Sequence, residues 1–313
     1  MQYDPRIYQS EKRKWSLIQR YKNCTIEDAL PGDTVDTDFG SAYRITNTSS
    51  ISLDLPAEQE ARDAILSDFQ ILPGIGPKTV AKFHQQGINN ICELSDNPHV
   101  ASILDELESR DLKALLSRIE RWHGNNHPLC YHLMGFLEPG DLLFFDIETL
   151  GLRFKPAFLI GVGRFEDSGF VVRQYLARDI SEEKAVIQAF LNEFKDCRSL
   201  VSFNGRSFDS RFIKDRMDIL GLSGDLNKPH LDLLHMSRRI FDLPNHRLCT
   251  IEERVLGVSR ENDLASAMVP NYYSLYLRKK NPGPLVPIIE HNHQDIVSMA
   301  LLLQLLGTEF CDQ

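Results

Sequence analysis

Apolar and polar positions follow two distinct patterns in the second half of the chain. Short apolar runs bounded by turn residues predict buried strands, at residues 142–147, 156–164, 169–176 and 199–204. Longer stretches with apolar residues three and four apart predict helices, at residues 182–195, 207–220, 231–241, 249–256 and 290–306. Strands joined by short turns and then alternating with helices predict an α/β fold with a mixed sheet.

The first half of the chain has a mostly helical pattern. Leucine and isoleucine recur at helical spacing from Ala101 to Trp122, and the run at 124–128 predicts a break. Turn signals at 31–33 and 39–41 indicate short strands in a small β element. The predicted organisation is therefore an N-terminal segment with this β element at 1–57, a helical region at 58–125 and an α/β domain at 138–313.

Two carboxylates end the first predicted strand of the α/β domain. Asp146 and Glu148 follow the apolar run 142–145. Because side chains alternate along a strand, both should point off the same face. Two carboxylates on one face repel each other, and burial makes this worse unless a cation lies between them. Ligands that are all oxygen suit Mg²⁺ or Mn²⁺, so the pair predicts a metal site.

A second acidic position follows the last predicted strand. Asp209 comes after the turn Asn204–Gly205, so we expect it in the first turn of the next helix, with Ser207 as the helix cap. Asp232 precedes another apolar helical stretch, and we expect it to cap that helix. Taken singly, each such aspartate is also explained by a structural role at a strand end or a helix N-terminus.

A third acidic position lies in the apolar helix near the C-terminus. Asp295 follows His291 by four residues, so the two share one face of the helix. His293 is about 200° around the helix axis from His291 and should point elsewhere. A histidine titrates near neutral pH, which makes His291 a candidate general base.

These positions carry a resemblance to the ribonuclease H-like DEDD exonucleases, whose three motifs occur here in order. The motifs are Asp-x-Glu at Asp146 and Glu148, Asn-x-x-x-Phe-Asp at Asn204, Phe208 and Asp209, and a final pair at His291 and Asp295. This final pair departs from both subclasses, because one has tyrosine at this spacing and the other has histidine with four residues between. Residues 203–209, 230–235 and 290–295 are most similar to the bacterial YprB-like family of predicted exonucleases.

The resemblance implies a ribonuclease H-like mixed sheet flanked by helices and a metal-dependent nuclease. It implies 3′→5′ exonucleolytic hydrolysis of DNA or RNA at a single-stranded 3′ end, with His291 accepting the proton of the attacking water. Two Mg²⁺ or Mn²⁺ ions would be held by Asp146, Glu148, Asp209 and Asp295. Two alternatives stay open: an endonuclease on the same fold, and a non-catalytic nucleic-acid-binding or scaffold protein.

A second motif lies in the helical region, at residues 71–83. Gly74 and Gly76 permit a tight turn with unobstructed backbone N–H groups, and Pro77 suits the first turn of the following helix. Such amides at a helix N-terminus bind phosphate, and Lys78 adds positive charge. The segment resembles the helix-hairpin-helix module, which clamps nucleic-acid backbones; the alternative is a packing or protein-contact unit. The candidate nucleic-acid contacts are Gly74, Gly76, Lys78, Asn204 and Arg206.

Composition adds few limits. The 313 residues are 42% hydrophobic and 25% charged, which is ordinary for a globular protein. The net charge of −9 does not exclude nucleic acid, because binding depends on local basic patches. The six cysteines include no Cys-x-x-Cys pair, so they predict neither a zinc site nor a disulfide framework. The sequence shows no membrane-length apolar stretch and no signal-like start, so we expect a cytoplasmic protein without a membrane partner.

Overall fold

Seven strands form one mixed sheet in the computed structural model, which describes residues 5–94, 96–152, 154–260 and 263–311. The strands are β1 (Asp33–Thr37), β2 (Gly40–Ser49), β3 (Leu142–Thr149), β4 (Ala157–Glu166), β5 (Gly169–Leu176), β6 (Ser199–Ser202) and β7 (His230–Asp232). Their order across the sheet is β1-β2-β5-β4-β3-β6-β7. Neighbouring strands from β1 through β2, β5 and β4 to β3 are antiparallel, whereas β3, β6 and β7 are parallel to one another.

Helices flank the sheet, so the predicted α/β fold with a mixed sheet is confirmed. Those before β3 are α1 (Pro5–Arg20), α2 (Ile26–Ala29), α3 (Glu58–Ser67), α4 (Pro77–Gln85), α5 (Pro98–Glu108), α6 (Leu112–His123) and α7 (Pro128–His132). Those after β3 are α8 (Glu183–Lys195), α9 (Asp209–Leu220), α10 (Leu233–Ile240), α11 (Leu248–Ile251), α12 (Val269–Lys279) and α13 (Val286–Cys311). Short 3₁₀ turns include Phe69–Ile71 and Ser266–Met268, and a π-helical turn spans Glu252–Leu256.

The central strands are apolar because helices cover both faces of the sheet. On one face, Phe145 and Phe158 pack with Phe190 of α8 and Tyr273 of α12. The rings of Phe158 and Tyr273 stack there with centroids 3.8 Å apart. On the other face, Phe144 enters a second core that includes residues of α13. Neighbouring residues of β3 thus enter different cores, as the alternation of side chains along a strand requires.

The second core continues from the sheet into the helical region. Ile65 of α3, Ile103 of α5 and Leu115 of α6 are fully buried in the same apolar cluster as Phe144. Tyr131 of α7 packs against the C-terminal part of α13, where its ring centroid lies 5.7 Å from that of Phe310. The helices α3, α5, α6 and α7 therefore share a core with the helix that covers this face of the sheet.

The predicted small β element is the hairpin of β1 and β2, which forms one edge of the main sheet. The antiparallel pairing of β2 with β5 runs from Tyr43 opposite Leu176 to Ser49 opposite Phe170. The sequence predicts the strands but not their partner, because the pairing joins segments more than 120 positions apart along the chain. The proposed division into residues 1–57, 58–125 and 138–313 stays a prediction.

Two local predictions near the sheet edge need correction. Residues 230–232 form the short strand β7, whereas the pattern predicted a helix over 231–241; the helix α10 starts one residue after β7. Ser207 does not cap α9: Phe208 is the N-cap residue, and no side chain among the described residues makes a capping hydrogen bond there. Asp232 does cap α10, as predicted, by accepting a hydrogen bond from the Leu234 N–H.

Candidate active site

The strand β3 and the helices α9 and α13 meet at a cavity of about 530 Å³. β3 supplies Asp146 and Glu148, α9 begins with Asp209, and α13 supplies His291 and Asp295. All five predicted catalytic positions line this cavity, and His293 lies outside the set of lining residues. The structure therefore brings together three motifs that are far apart in the sequence.

Asp146 is oriented by a buried amide network. The Asn292 side-chain amide donates to the Asp146 Oδ2 over 2.8 Å and to its backbone carbonyl over 3.2 Å. Gln174 in turn donates to the Asn292 Oδ1 over 2.8 Å. Gly161 lies opposite Asp146 in the sheet, and a Cβ atom there would collide with the Asn292 Oδ1. The absence of a side chain at 161 is what lets Asn292 reach Asp146.

The loop between β6 and α9 places Asp209. Asn204 adopts a left-handed conformation with φ of 65°, which asparagine tolerates better than most residues. The carboxylate of Asp232 holds this loop by accepting hydrogen bonds from the N–H of Asn204 (2.7 Å) and of Arg206 (3.3 Å). Asp232 therefore does more than cap α10: it also fixes the turn that delivers Asp209 to the cavity.

His291 is buried between acidic groups. Its Nδ1 lies 2.8 Å from the Asp263 Oδ1, and its Nε2 lies 3.6 Å from the Asp295 Oδ2 and 3.4 Å from the Ser266 hydroxyl. Burial lowers the pKa of His291, but the charge of Asp295, the hydrogen bond to Asp263 and the charge of Glu148 outweigh this and raise it to about 10. Without a bound cation, the imidazole therefore carries a proton at neutral pH.

Arg260 supplies positive charge beside the same group. Its guanidinium pairs with Asp295 and with Glu252, whose Oε2 accepts from Nε over 2.6 Å. It also lies 3.6 Å from Asp263. Arg260, Asp263 and Asn292 contact residues of the candidate site, and the sequence pattern did not reveal them. Of these three residues, only Asn292 could have been found from the sequence, because it lies inside the third motif.

Burial and crowding raise the pKa of the carboxyl groups. Burial, and then the charges of Asp295, Asp209 and Glu148, raise the pKa of Asp146 well above its ordinary value. Burial also raises the pKa of Glu148 to about 8. For Asp209, burial raises the pKa to about 7, although hydrogen bonds from backbone amides oppose the rise. The protein therefore gathers more negative charge here than its own groups neutralise.

This donor set fits divalent cations that prefer oxygen ligands. Carboxylates that hold protons near neutral pH would release them to a bound cation, which replaces the missing positive charge. Acidic side chains around a shared space are the ligands used for Mg²⁺ and Mn²⁺. The residues that would hold the ions are Asp146, Glu148, Asp209 and Asp295.

The candidate nucleic-acid contacts lie in two places. Asn204 lines the cavity, whereas the guanidinium of Arg206 pairs with Glu120 of α6, with Nη2 and Oε2 3.0 Å apart. An arginine engaged in this way is less available to a phosphate.

The glycine turn of the second motif is at the surface of the helical region. Gly74 has φ of +78°, and none of the described residues comes within 4 Å of a Cβ atom built at Gly74 or at Gly76. Gly76 is the N-cap residue of α4 and Pro77 opens the helix, as predicted, with Lys78 exposed beside it. The amides at this turn are therefore not obstructed by side chains at the glycines.

The fold and the carboxylate cluster together define the class of protein. The family RNase_H_2, described as RNase_H superfamily, matches residues 143–307. This range is more than half of the chain and contains every residue of the carboxylate cluster. The chain belongs to the RNase H superfamily.

Particular relatives cover smaller parts. The chain is 33% identical over 174 residues to the uncharacterized protein YprB of Bacillus subtilis (strain 168), which covers 52% of this chain and 41% of YprB. This confirms the expected similarity to YprB. It is 30% identical over 152 residues to a DNA polymerase of Desulfurococcus sp. (strain Tok), which covers 38% of this chain and 20% of the polymerase. The chain thus spans about two fifths of one relative and one fifth of the other.

Among solved structures, the family B DNA polymerase from the hyperthermophilic archaeon Pyrobaculum calidifontis matches 53% of this chain and 24% of that chain, with a TM-score of 0.44 and 18% identity. None of the helices in the described residues combines the length and the apolar character needed to cross a membrane.

Proposed function

We propose that this protein is a metal-dependent nuclease that hydrolyses phosphodiester bonds in DNA or RNA as a 3′→5′ exonuclease. One observation carries the proposal: four carboxylates from three distant motifs line one cavity in a chain of the RNase H superfamily. Similarity to proteins named DNA polymerase supports a nucleic-acid substrate.

In this proposal, each side chain has a separate task. The carboxylates of Asp146, Glu148, Asp209 and Asp295 would hold two Mg²⁺ or Mn²⁺ ions. When bound, the ions supply Lewis acidity for the attacking water and for the leaving oxygen. Water attacks phosphorus, the bond from phosphorus to the 3′ oxygen breaks, and Nε2 of His291 accepts the proton that the water loses. The leaving 3′ oxygen takes up a proton from solvent and becomes a hydroxyl group. Asp263 accepts the hydrogen bond from Nδ1, which keeps the other nitrogen directed at the cavity.

The raised pKa of His291 is compatible with this task. The carboxylates that hold its proton include Asp295 and Glu148, which are the same groups that the cations would neutralise. Their neutralisation removes the main cause of the rise, so the pKa falls towards the range in which a histidine exchanges protons near neutral pH.

The glycine turn at residues 74–76 supports a second contact with the substrate. Its open surface, the N-terminus of α4 and Lys78 are suited to a phosphate group. We propose that residues 58–125 act as a helix-hairpin-helix module that holds the backbone of the strand while residues 138–313 cut it.

The replacement Asp146→Asn tests the nuclease proposal. The carboxamide keeps the size of the side chain but loses the charge that holds a divalent cation. We expect cleavage of end-labelled DNA or RNA in Mg²⁺ or Mn²⁺ to fall by at least about 10²-fold, a loss typical of removing one key electrostatic group from an active site. Circular dichroism should show that the fold is retained. The matched control is Asp218→Asn, the same change at an exposed position of α9, and it should keep full activity.

The form of the products separates the alternatives. Single nucleotides released from a free 3′ end support the exonuclease, whereas cleavage of a circular single strand identifies an endonuclease. Binding of nucleic acid without any metal-dependent cleavage by the wild-type protein would refute the catalytic proposal and leave a binding or scaffold role.

A further inference from the structure

Two histidines and an aspartate meet at a second place, inside the helical region. Asp68 follows the last residue of α3, His123 is the last residue of α6, and His127 is the N-cap residue of α7. One ring nitrogen of each histidine and one carboxylate oxygen of Asp68 all lie within 4.8 Å of one another. The three side chains belong to neither the carboxylate cluster nor the glycine turn.

Asp68 is held with one oxygen directed at the histidines. Its Oδ1 accepts a hydrogen bond of 2.8 Å from the N–H of Gln70. Its Oδ2 lies 3.0 Å from the Nε2 of His123. A carboxylate fixed through one oxygen by a backbone amide is typical of a metal ligand, because such a bond orients the second oxygen.

His123 has a buried nitrogen with unused bonding capacity. The side chain is only 10% exposed, and within the described part of the chain its Nε2 makes no hydrogen bond. The Asp68 Oδ2 is a close ionic partner at 3.0 Å, but this contact is not aligned as a hydrogen bond. A buried nitrogen without a hydrogen bond is costly, and a cation bound between His123 and Asp68 would satisfy both groups.

His127 stacks against His123. The two ring centroids are 4.1 Å apart with an angle of 17° between the planes. This stacking holds one nitrogen of each ring within 4.8 Å of the other, and imidazole nitrogen is a common metal ligand. The Nδ1 of His127 accepts a hydrogen bond from the Leu129 N–H, and this bond is long, at 3.4 Å. A hydrogen bond this weak can be replaced by a bond from the ring to a metal ion.

A cavity beside the cluster gives a further ligand access. This cavity has a volume of about 470 Å³, and its lining includes Asp68, His127 and His132. It is large enough to admit a water molecule as the fourth ligand.

We propose that Asp68, His123 and His127 bind one Zn²⁺ ion, with a water molecule completing a tetrahedral site. Two imidazole nitrogens and one carboxylate oxygen are ligands that zinc prefers, whereas Mg²⁺ and Mn²⁺ favour oxygen alone. His123 and His127 are separated by three residues, a spacing found in zinc sites. A site of this kind contains no cysteine, so the lack of a Cys-x-x-Cys pair in the sequence does not exclude it.

The zinc ion would hold three parts of the helical region together, with one coordination position left to water. It would connect the ends of α3 and α6 to the start of α7. Asp68 also caps the 3₁₀ turn Phe69–Ile71, which leads directly to the glycine turn. The ion would thus fix the base of the turn that we propose as a phosphate contact. Zinc binding itself does not depend on the nuclease proposal.

Metal analysis of the full-length protein tests this site. The purified protein is titrated with Zn²⁺ in excess Mg²⁺, which competes with zinc for oxygen ligands, and the bound zinc is examined by zinc-edge X-ray absorption. We expect one Zn²⁺ per chain, with imidazole nitrogen among its ligands and a rise in the thermal midpoint on binding. His123→Ala and His127→Ala should each weaken zinc binding by more than about 100-fold, beyond the loss typical of changes around metal ligands. The control His99→Ala, an exposed histidine of α5, should bind as the wild type does.

Two outcomes would overturn the proposal. The first is wild-type protein that takes up no zinc, or takes it up only on oxygen ligands; this result needs no variant. The second is equal affinity in wild type, His123→Ala and His127→Ala. Circular dichroism in the absence of metal shows whether each variant folds. If a variant does not fold, the zinc titration and the zinc-edge absorption spectrum of the wild-type protein decide whether the site exists.

Discussion

His291 takes its chemical character from side chains distant in the sequence. Asp263, 28 positions earlier, lies at Nδ1, and Asp295, one helical turn later, lies near Nε2. The first contact fixes which nitrogen faces the cavity, and the second places that nitrogen beside a proposed metal ligand. These contacts support the proposal of His291 as the general base, although its spacing matches neither known subclass.

Removing the imidazole tests that position. His291→Ala should reduce the hydrolysis rate by about 10²–10⁴, which is the usual contribution of a general base. Affinity for Mg²⁺ should change little, because no proposed metal ligand is lost. Steady-state cleavage and a Mg²⁺ titration measure the two effects separately. His293→Ala is the matched control on the same helix; if it were the damaging change and His291→Ala were silent, the base would have to be reassigned.

Residues of the candidate site were predictable only where a short-range rule applies. Asp146 and Glu148 follow from alternation along one strand, and the pairing of His291 with Asp295 follows from helical spacing. The contacts of Arg260 and Asp263 could not be predicted, because they lie in irregular chain between α11 and α12. No periodic pattern there indicates which way a side chain points.

At the scale of elements, α4 is distinguished by its exposure. It buries no residue fully among the described positions. Val80 and Phe83 pack against the second core from its partly buried side, and the ring centroid of Phe83 lies 5.2 Å from that of Phe69. A helix with so little burial contributes little to the core. Its position directly after an open glycine turn is more easily explained by a contact with something outside the chain.

A side chain at the glycine turn should therefore impair binding rather than folding. Gly76→Val places a branched group beside the amides at the start of α4, so affinity for long single strands should fall. Cleavage of a dinucleotide should be nearly unchanged, because it needs only the carboxylate site. Fluorescence anisotropy at several salt concentrations measures the binding, which should weaken as salt rises. Ala81→Val, an exposed change on the same helix, is the control; unchanged affinity of Gly76→Val would make the turn a packing element.

Most helices and strands followed from the sequence, and the errors have physical reasons. β7 has three residues, too few for a strand pattern to appear beside the apolar helix α10. The cap of α9 was misassigned because a serine near a helix start is a common cap, whereas here the loop is fixed by Asp232 from another strand. Local patterns predict elements well, but they do not reveal supports that come from elsewhere in the chain.

For the whole molecule, the carboxylate cluster is a source of instability that metal should relieve. Unfolded Asp and Glu side chains lose their protons near pH 4, whereas folded Asp209 and Glu148 keep theirs to about pH 7 and 8. Between these limits the folded state binds more protons than the unfolded state, so stability falls as pH rises. His291 acts in the same direction, because its raised pKa gives stability that is present below pH 6.5 and is lost as pH rises through about 10.

Metal-free protein should therefore be less stable at pH 8 than at pH 5.5. The free energy of unfolding should fall by at most about 1.4 kcal/mol per pH unit for each proton that the folded state binds and the unfolded state does not. Added Mg²⁺ should raise the thermal midpoint more at pH 8 than at pH 5.5, since it replaces the missing positive charge. Calorimetry with EDTA or Mg²⁺ measures both effects. Asp209→Asn should flatten the pH dependence, and Asp218→Asn should not. An equal effect of Mg²⁺ at both pH values would contradict this account of the cluster.

The glycine at position 161 has a consequence for the shape of the candidate metal site. α13 carries Asp295 and His291, β3 carries Asp146 and Glu148, and a Cβ atom at 161 would collide with Asn292 and Ile296 of α13. The lack of a Cβ atom at Gly161 thus allows α13 to lie close to the strands. Gly161→Ala should cost about 1–3 kcal/mol through overpacking and, by moving Asp295 away from Asp146 and Glu148, weaken Mg²⁺ binding measured by calorimetry. Gly161 would then determine the distance between Asp295 of α13 and the carboxylates of β3, although it has no side chain and no contact with the substrate.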